Sequence, residues 1–457
     1  MRSARTRSVA GHELDRAVLP LLLTLGLGVL AGALDLGVLS PALPAIGAQF
    51  AVATGDLAWV FTLYLLATVV SIAVMSVLAD RLGRRPIYIA CVSLFAFGSL
   101  IAVLAPNYGV FLLARAIQAL GAGGIFPVAT AAIGDAVPPA RRGAALGLVA
   151  ATWGLAAIVG PTFGGLVTHF ISWRWIFALN FPLAAIVIYL AAIHVPANAP
   201  RARGPLDGAG LALLACGLLA LMYGISGTHV LTIVVGIVVL VGFAYWQRLA
   251  RNPIVPPSLF TSAQLAKTYA LEIAIGMLEG SLFFIPTVLV GAQHLSYAAA
   301  GLIAAIGALV FVAVIPASGR ALDRIGSRDV LLLGTFCTEA GIAFFALGFD
   351  TLWMSILAMI VAGFGFGALL GAPTRYIVTN ETDPKTRATA VGLLSQFLII
   401  GQIVGASMAG GIMSLAVSDT TAYRNTYIAF AIVALVAMGI AATLRSRRQE
   451  LRARVTE

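Results

Sequence analysis

The sequence predicts an all-α protein that crosses a membrane fourteen times, as two six-helix bundles with two extra helices between them. Three observations carry that expectation. Apolar runs of membrane-spanning length recur along all 457 residues, with 60% hydrophobic and 10% charged residues and a mean hydropathy of +1.01; soluble domains carry about 25% charged residues. A charged stretch, Ser76-Val-Leu-Ala-Asp80-Arg81-Leu-Gly83-Arg84-Arg85-Pro86, returns in looser form as Gly319-Arg320-Ala-Leu-Asp323-Arg324-Ile-Gly326-Ser-Arg328. Asp80, Arg81, Gly83 and Arg85 match Asp323, Arg324, Gly326 and Arg328 at one offset of 243 residues. Finally, of the 28 Lys and Arg, all but Arg115, Arg174 and Arg424 fall at the termini or in alternate loops. That asymmetry places both termini in the cytoplasm.

About 20 apolar residues cross a bilayer, and the spans follow in order by that measure. Span 1, near 17–42, comes after the basic segment Met1 to Arg16. Its apolar run exceeds the roughly 7–15 residues of a signal peptide, so a retained helix is expected. Spans 2 and 3, near 54–78 and 86–105, flank the charged stretch, where Gly83 suits a tight turn. Span 4, near 108–134, precedes a second repeated segment, because Pro139, Arg142 and Gly147 recur as Pro384, Arg387 and Gly392. Spans 5 and 6 follow near 142–168 and 174–194. A Pro/Arg-rich segment (Pro196, Pro200, Arg201, Arg203, Pro205) opens an insert holding spans 7 and 8, near 206–226 and 229–249. Neither has a central charge, so a lipid-facing spacer is expected. The last six lie near 263–291, 297–319, 329–349, 351–374, 387–415 and 424–444.

The repeat works as a ruler. Asp80 follows span 2 and Asp323 follows span 10, a shift of eight spans. Six-span halves separated by two helices produce it. The expected division is an N-terminal bundle over 1–194, an insert over 195–255 and a C-terminal bundle over 256–457. Parallel six-span repeats are the plan of one large transporter class, with substrate bound between the halves near the midplane.

Composition also excludes. The net charge of +10 is explained by topology, so no nucleic-acid partner is expected. Cys91, Cys216 and Cys337 stand far apart in apolar runs, without metal or disulfide spacing, and read as buried apolar side chains. No nucleotide-binding loop, nucleophile arrangement or metal cluster is visible. No enzyme and no cofactor are therefore expected, and an ion gradient is the expected energy source.

A charge at the bilayer centre costs about 2.5–3.5 kcal/mol and marks a functional candidate. Asp35, in the outer half of span 1, and Arg115, near the outer start of span 4, lie at compatible depths for a pair. A carboxylate that holds Arg when ionised and frees it when protonated is a proton switch; a static pair is the alternative. Glu272 and Glu279 are seven residues apart on span 9, on one helix face about 10 Å from each other. They suit proton binding or attraction of a cation, although Glu272 lies nearer the cytoplasmic side. Glu339 falls near mid-depth of span 11, where a neutral, hydrogen-bonded Glu is the plainer reading. Tyr64, Gln118 and Trp153 are candidate contacts in an otherwise apolar cavity, while Trp59, Trp173, Trp175, Trp246 and Trp353 read as interface anchors.

The charged stretch resembles the signature loop of the major facilitator superfamily, Gly-x-Leu-Ala-Asp-Arg-x-Gly-Arg-Arg, with Ser76 at the first Gly. Span 5 contains Gly154-Leu-Ala-Ala-Ile-Val-Gly160-Pro161-Thr-Phe-Gly164-Gly165, similar to the antiporter signature of drug exporters in that superfamily. Its second-half counterpart keeps Gly405 and Gly410 but has Ala406 in place of the Pro. Arg115-Ala-Ile-Gln118-Ala-Leu-Gly121-Ala-Gly123 resembles the fourth-helix motif. Leu34-Asp35-Leu36 and Ala42-Leu43-Pro44 resemble the first-helix motif of the fourteen-span drug:proton antiporters, although Leu36-Gly37-Val38-Leu39 stands where Thr-Ile-Val-Asn is usual. Trp173-Arg174-Trp175-Ile176-Phe177 with Asn180 and Pro182, and Leu206-Asp207-Gly208-Ala209-Gly210, are further similarities.

The resemblance implies a major facilitator fold and a secondary exporter of amphipathic drugs or toxic small molecules by proton antiport, in the cytoplasmic (inner) membrane. Its implied partners are a small-molecule substrate, protons and the bilayer, and a monomer is compatible with it. It implies proton coupling at Asp35, Glu279 and Glu272, since core helices 1, 4, 7 and 10 line the family's cavity and span 9 becomes core helix 7. Arg115, Gln118, Tyr64, Trp153 and Glu339 would serve the cavity or charge pairing, with Glu339 on a peripheral helix. Asp80, Arg81, Gly83, Arg84 and Arg85, with Asp323, Arg324, Gly326 and Arg328, would be gating loops in which Asp80 acts as a latch. Two other readings stay open: a dedicated exporter of one metabolite, lipid or siderophore, and a non-transporting membrane sensor or assembly protein.

Overall fold

The computed structural model describes residues 2–197, 207–260, 262–383, 386–415 and 418–450. The segment from Pro200 to Pro205, and Pro384 of the second repeated segment, lie outside them. Among the described residues, fourteen helices are long and apolar enough to cross a membrane. They are α1 (Val18–Phe50), α2 (Ala58–Leu82), α3 (Arg84–Leu104), α4 (Tyr108–Ala136), α5 (Ala145–Phe170), α6 (Arg174–His194) and α7 (Gly208–Gly227). Then come α8 (Val230–Leu249), α9 (Ala263–Gln293), α10 (Tyr297–Ile325), α11 (Ser327–Gly348), α12 (Leu352–Asn380), α13 (Thr389–Leu415) and α14 (Asp419–Ala442). Helices satisfy every backbone group internally, which hydrocarbon demands. Several outrun their apolar stretches, α10 by reaching Ile325 and α12 by reaching Asn380, because a helix goes on closing its own hydrogen bonds after it leaves the lipid.

Two helices are interrupted at matching places. α1 passes through a 3-10 turn at Ser40–Ala42, where Pro41 and Pro44 remove backbone donors. α9 is interrupted at Phe283 and Phe284, ahead of Pro286. Both end on a left-handed residue that is not glycine, Ala51 at φ 52° and His294 at φ 53°. These positions are separated by the same offset as the charged loops, so the repeat reaches back to α1. The Ser40 hydroxyl donates to the Phe283 carbonyl at 2.6 Å.

Backbone packing divides the chain into two compact units. One holds Met1–Gly37, Ala67–Gly160 and Ser172–Leu206; the other holds Val38–Leu66, Pro161–Ile171 and Asp207–Glu457. The division falls inside α1, α2 and α5 rather than at their ends.

In the first unit the core gathers Leu25, Val29, Tyr88, Cys91, Phe95 and Val128. The Tyr88 hydroxyl donates to the Leu25 carbonyl at 3.1 Å, in space that a side chain at Gly28 would fill. α3 and α4 approach until a Cβ on Gly98 would overlap the Gln118 backbone, and one on Gly121 the Phe95 backbone. Small residues permit such contact between helices in lipid. Trp173 is buried against Phe111 and Phe177, so it is no interface anchor; its neighbour Trp175 is exposed.

In the second unit the glycines of α5 are a packing surface. Gly164 faces the Val38 carbonyl of α1, Gly165 faces that of Tyr297 at the start of α10, and Gly301 of α10 faces that of Pro161. Gly276 and Gly280 of α9 and Gly401 and Gly405 of α13 bring those two helices equally close. The inserted pair differs from a simple spacer. α7 buries Leu211, Leu214, Leu218 and Met222 and meets Gly411 of α13 at the Ile225 carbonyl. α8 alone shows the expected lipid-facing character, with Val230, Leu231, Val238 and Val241 exposed. Cys216 of α7 is exposed rather than buried, whereas Cys91 is buried.

Asp207 ties the pair together. It accepts from the backbone of Gly210, capping α7, and from the Trp246 and Gln247 side chains of α8, each at 2.8 Å. Burial pushes its carboxyl up, but the bonds from Trp246, Gly210 and Gln247 outweigh that and hold it below its ordinary value.

Two measurements follow from this packing. Thermal unfolding of purified protein should show Gly164→Ala destabilised by about 1–3 kcal/mol through overpacking. Gly439→Ala, with open space around it, should be neutral or stabilising by up to about 1 kcal/mol. A carboxyl depressed on folding adds stability at neutral pH that is lost as pH falls through its folded value. Asp207→Asn should accordingly lower the melting temperature at pH 7 and leave a smaller further drop on acidification; an unchanged acid response would show that Asp207 carries no such linkage.

Candidate functional site

The site in the first unit begins with a cap. Asn107 accepts from the Val110 backbone at 2.9 Å and starts α4, which places Arg115 and Gln118 one turn apart on the same face. The close α3–α4 approach at Gly98 shuts out solvent there, and Arg115, Gln118 and Ser99 have no exposed surface; Asp35 has 2%. Arg115 donates to Asp35 Oδ2 at 2.5 Å and to Gln118 Oε1. Gln118 Nε2 donates to Asp35 Oδ1 at 2.8 Å and to Ser99 Oγ at 2.9 Å. Asn180 of α6 donates to the same Ser99 oxygen at 3.0 Å. Both carboxylate oxygens of Asp35 therefore face donors from α4.

Aromatic side chains enclose this network. The Phe177 ring lies 5.8 Å from the Arg115 guanidinium carbon, within cation–π range. Phe111 meets Trp173 and Phe177 edge-on at 5.3 and 5.6 Å. Arg174 donates to the Val103 and Ala105 carbonyls at 2.8 and 3.1 Å, capping α3. That contact anchors the start of α6, and with it Phe177 and Asn180.

The acids of α9 lie in the second unit and have different neighbours despite sharing a face. Glu279 is half-buried and accepts from Gln402 of α13 at 2.9 Å, within the glycine seam. Glu272 is buried, and its Oε2 has no hydrogen-bond partner among the described residues. Gln402 and Ser99 escaped the sequence reading, and Asn180 entered it only as part of a motif similarity, not as a site residue. Uncharged polar residues inside apolar spans were the available signal.

The other candidates separate. Tyr64 is buried in the second unit, while Trp153 is 44% exposed with its ring edge-on to Phe126 at 6.3 Å. Glu339 is half-buried and has no hydrogen bond or ion pair among the described residues, so the plainer reading of a hydrogen-bonded Glu is not what the structure shows. In the α2–α3 loop, Gly83 takes φ 100°, and Arg84 bonds Asp80 at 2.5 Å and Asp135 at 3.2 Å. Arg84 is 7% exposed, a buried hub rather than a solvated topology marker, and Arg81 is exposed while Arg85 is half-buried. The Ser76 hydroxyl donates one turn back to Ile72 at 2.6 Å. The downstream copy keeps the turn, with Gly326 at φ 90°. It is held differently: Arg447 of the C-terminal tail donates to the Asp323 carbonyl at 2.8 Å and to that of Arg324, and Ser327 bonds Glu450. The Asp323 and Arg324 side chains are exposed and Arg328 is half-buried.

Removing one member of a buried ion pair costs about 3–5 kcal/mol because a charge is left uncompensated. Thermal unfolding should therefore find Arg115→Leu severely destabilised. The double variant Asp35→Leu with Arg115→Leu should recover much of that loss, and a purely additive double variant would refute the pairing.

The sequence profile of the Major Facilitator Superfamily matches residues 25–277 and 268–457. An uncharacterized MFS-type transporter of Bacillus subtilis, YfiU, is 32% identical over 416 residues, spanning 85% of this chain and 78% of the relative. The multidrug resistance protein B homolog of Mycobacterium tuberculosis is 29% identical over 433 residues, spanning 90% and 79%. The multidrug resistance protein Stp of the same organism is 30% identical over 424 residues, spanning 89% and 78%. Among solved structures, a D-xylose-proton symporter superposes with a TM-score of 0.69 at 13% identity, over 94% of this chain and 98% of its own. A nucleoside transporter, NupG, gives 0.65 at 17%, over 92% and 98%; at such identities the likeness is one of fold. The chain belongs to the major facilitator superfamily.

Proposed function

We propose that this transporter exports amphipathic small molecules in exchange for protons, by alternating access. Members of the superfamily are transporters rather than enzymes, and relatives across most of this chain's length carry the name multidrug resistance protein. The observation that carries the proton-coupled part is the donor set around Asp35. An ionised Asp35 neutralises Arg115 through a direct, buried contact at 2.5 Å. A proton on Asp35 cancels that attraction and frees the guanidinium, so proton binding is converted into a change in how α1 holds α4. Glu279 offers a second proton site of another kind, since its partner Gln402 is a neutral amide. Glu272, with one oxygen unpartnered, is the third.

On this reading the Lys and Arg asymmetry puts both termini in the cytoplasm and the protein in the cytoplasmic membrane. Residues 1–194 and 256–457 act as the two moving bundles, with 195–255 as an accessory pair. The Asp80–Arg84–Asp135 cluster and the Arg447-held loop serve as latches on the cytoplasmic side.

Everted vesicles with an imposed proton gradient test the proposal, with ethidium as the transported cation. Ethidium addition should release protons from wild-type vesicles. Asp35→Asn should lower gradient-driven uptake by roughly tenfold or more, the scale of one lost interaction of ~1.4 kcal/mol, and Glu279→Gln should lower it too. Undiminished uphill transport by Asp35→Asn would remove Asp35 from the coupling step.

A further inference from the structure

The network around Asp35 contains two residues with no role so far, Ser99 on α3 and Asn180 on α6. A hydroxyl has one proton to give, and Ser99 gives its proton to the Phe95 carbonyl at 2.9 Å, one turn back. Its oxygen must then accept, and it does so twice, from Gln118 Nε2 and Asn180 Nδ2. This decides which way the Gln118 amide points. With its nitrogen toward Ser99, the second N–H meets Asp35 Oδ1 and the oxygen meets Arg115. A reversed amide would set its oxygen against two acceptors and its nitrogen against a guanidinium.

We propose that Ser99 and Asn180 are positioning residues for proton exchange at Asp35, which they govern by locking Gln118 as a donor to its carboxylate. With Gln118 locked, both Asp35 oxygens accept from N–H groups, contacts that favour the ionised carboxylate over the protonated one. The lock therefore resists protonation until the helices move. Among the described residues Arg115, from α4, is the charged group that faces Asp35. α3 contributes Ser99, and α6 contributes Asn180, its Arg174 guanidinium being directed to the Val103 and Ala105 carbonyls. Anchoring Asn180 through α6 also makes the lock sensitive to movement of that helix. The inference rests on the reading of Asp35 as a proton-exchanging group.

Infrared spectra of the full chain in liposomes, recorded against pH, test it without knowledge of the substrate. The protonated Asp35 carboxyl is the band missing from Asp35→Asn. Ser99→Ala deletes the accepting oxygen with little change of volume, and should move the appearance of that band to higher pH by about one unit, a tenfold change in proton binding. Asn180→Ala should move it the same way, and Ser99→Thr, which keeps the hydroxyl, should restore the wild-type profile. A profile unchanged in both alanine variants overturns the inference, as does the absence of an Asp35 band from wild type and variants alike. A band that shifts as expected, in a protein whose Asp35→Asn form still drives ethidium uphill, supports the lock and counts against the export mechanism instead.

Discussion

A guanidinium with no exposed surface, placed among apolar helices, must find its counter-charge and hydrogen-bond acceptors inside the protein, because neither lipid nor a dry core supplies them. Arg115 imposes that condition on everything near it. Asp35 of α1 supplies the charge, and Gln118 relays the pair to Ser99 and Asn180. Phe177 and Phe111 close the wall. Four helices are thus held in one arrangement by a single buried cation, and a change in its charge balance reaches all of them.

Glycine makes this possible. Arg115 and Gln118 are buried because α3 and α4 approach at Gly98 and Gly121 until no side chain fits between their backbones. The same device recurs in the second unit, where the α9–α13 seam holds Glu279 against Gln402. Close backbone contact excludes water, and exclusion of water gives buried polar groups their leverage. The glycines of α5 belong to the same logic, since Gly164 and Gly165 lie directly on the carbonyls of α1 and α10.

The two copies of the charged loop show how a repeat diverges once its shape is secured. Gly83 and Gly326 both adopt positive φ, a conformation that glycine takes without steric penalty. Beyond the turn they share little. The first copy closes on Arg84 between Asp80 and Asp135, the second on Arg447 from the C-terminal tail. Ser327 stands where Arg84 would be in the repeat, and a distant arginine, Arg447, holds the loop through backbone carbonyls instead of through carboxylates.

The sequence by itself determined the fourteen helices, because the lipid requirement is written in runs of apolar residues that need no partner to be read. It also determined the repeat, through the loop offset that returns in the paired ends at Ala51 and His294, and the depth match of Asp35 with Arg115. Only the tertiary structure decided which uncharged residues complete the site. Ser99, Asn180 and Gln402 are ordinary polar residues in apolar spans, and each matters solely through a neighbour brought in from another helix. The buried states of Trp173 and Arg84 were equally illegible, since position near a span end suggests exposure and only packing removes it. Periodicity and hydropathy are properties of one helix; a hydrogen-bond direction such as that of Gln118 is a property of four.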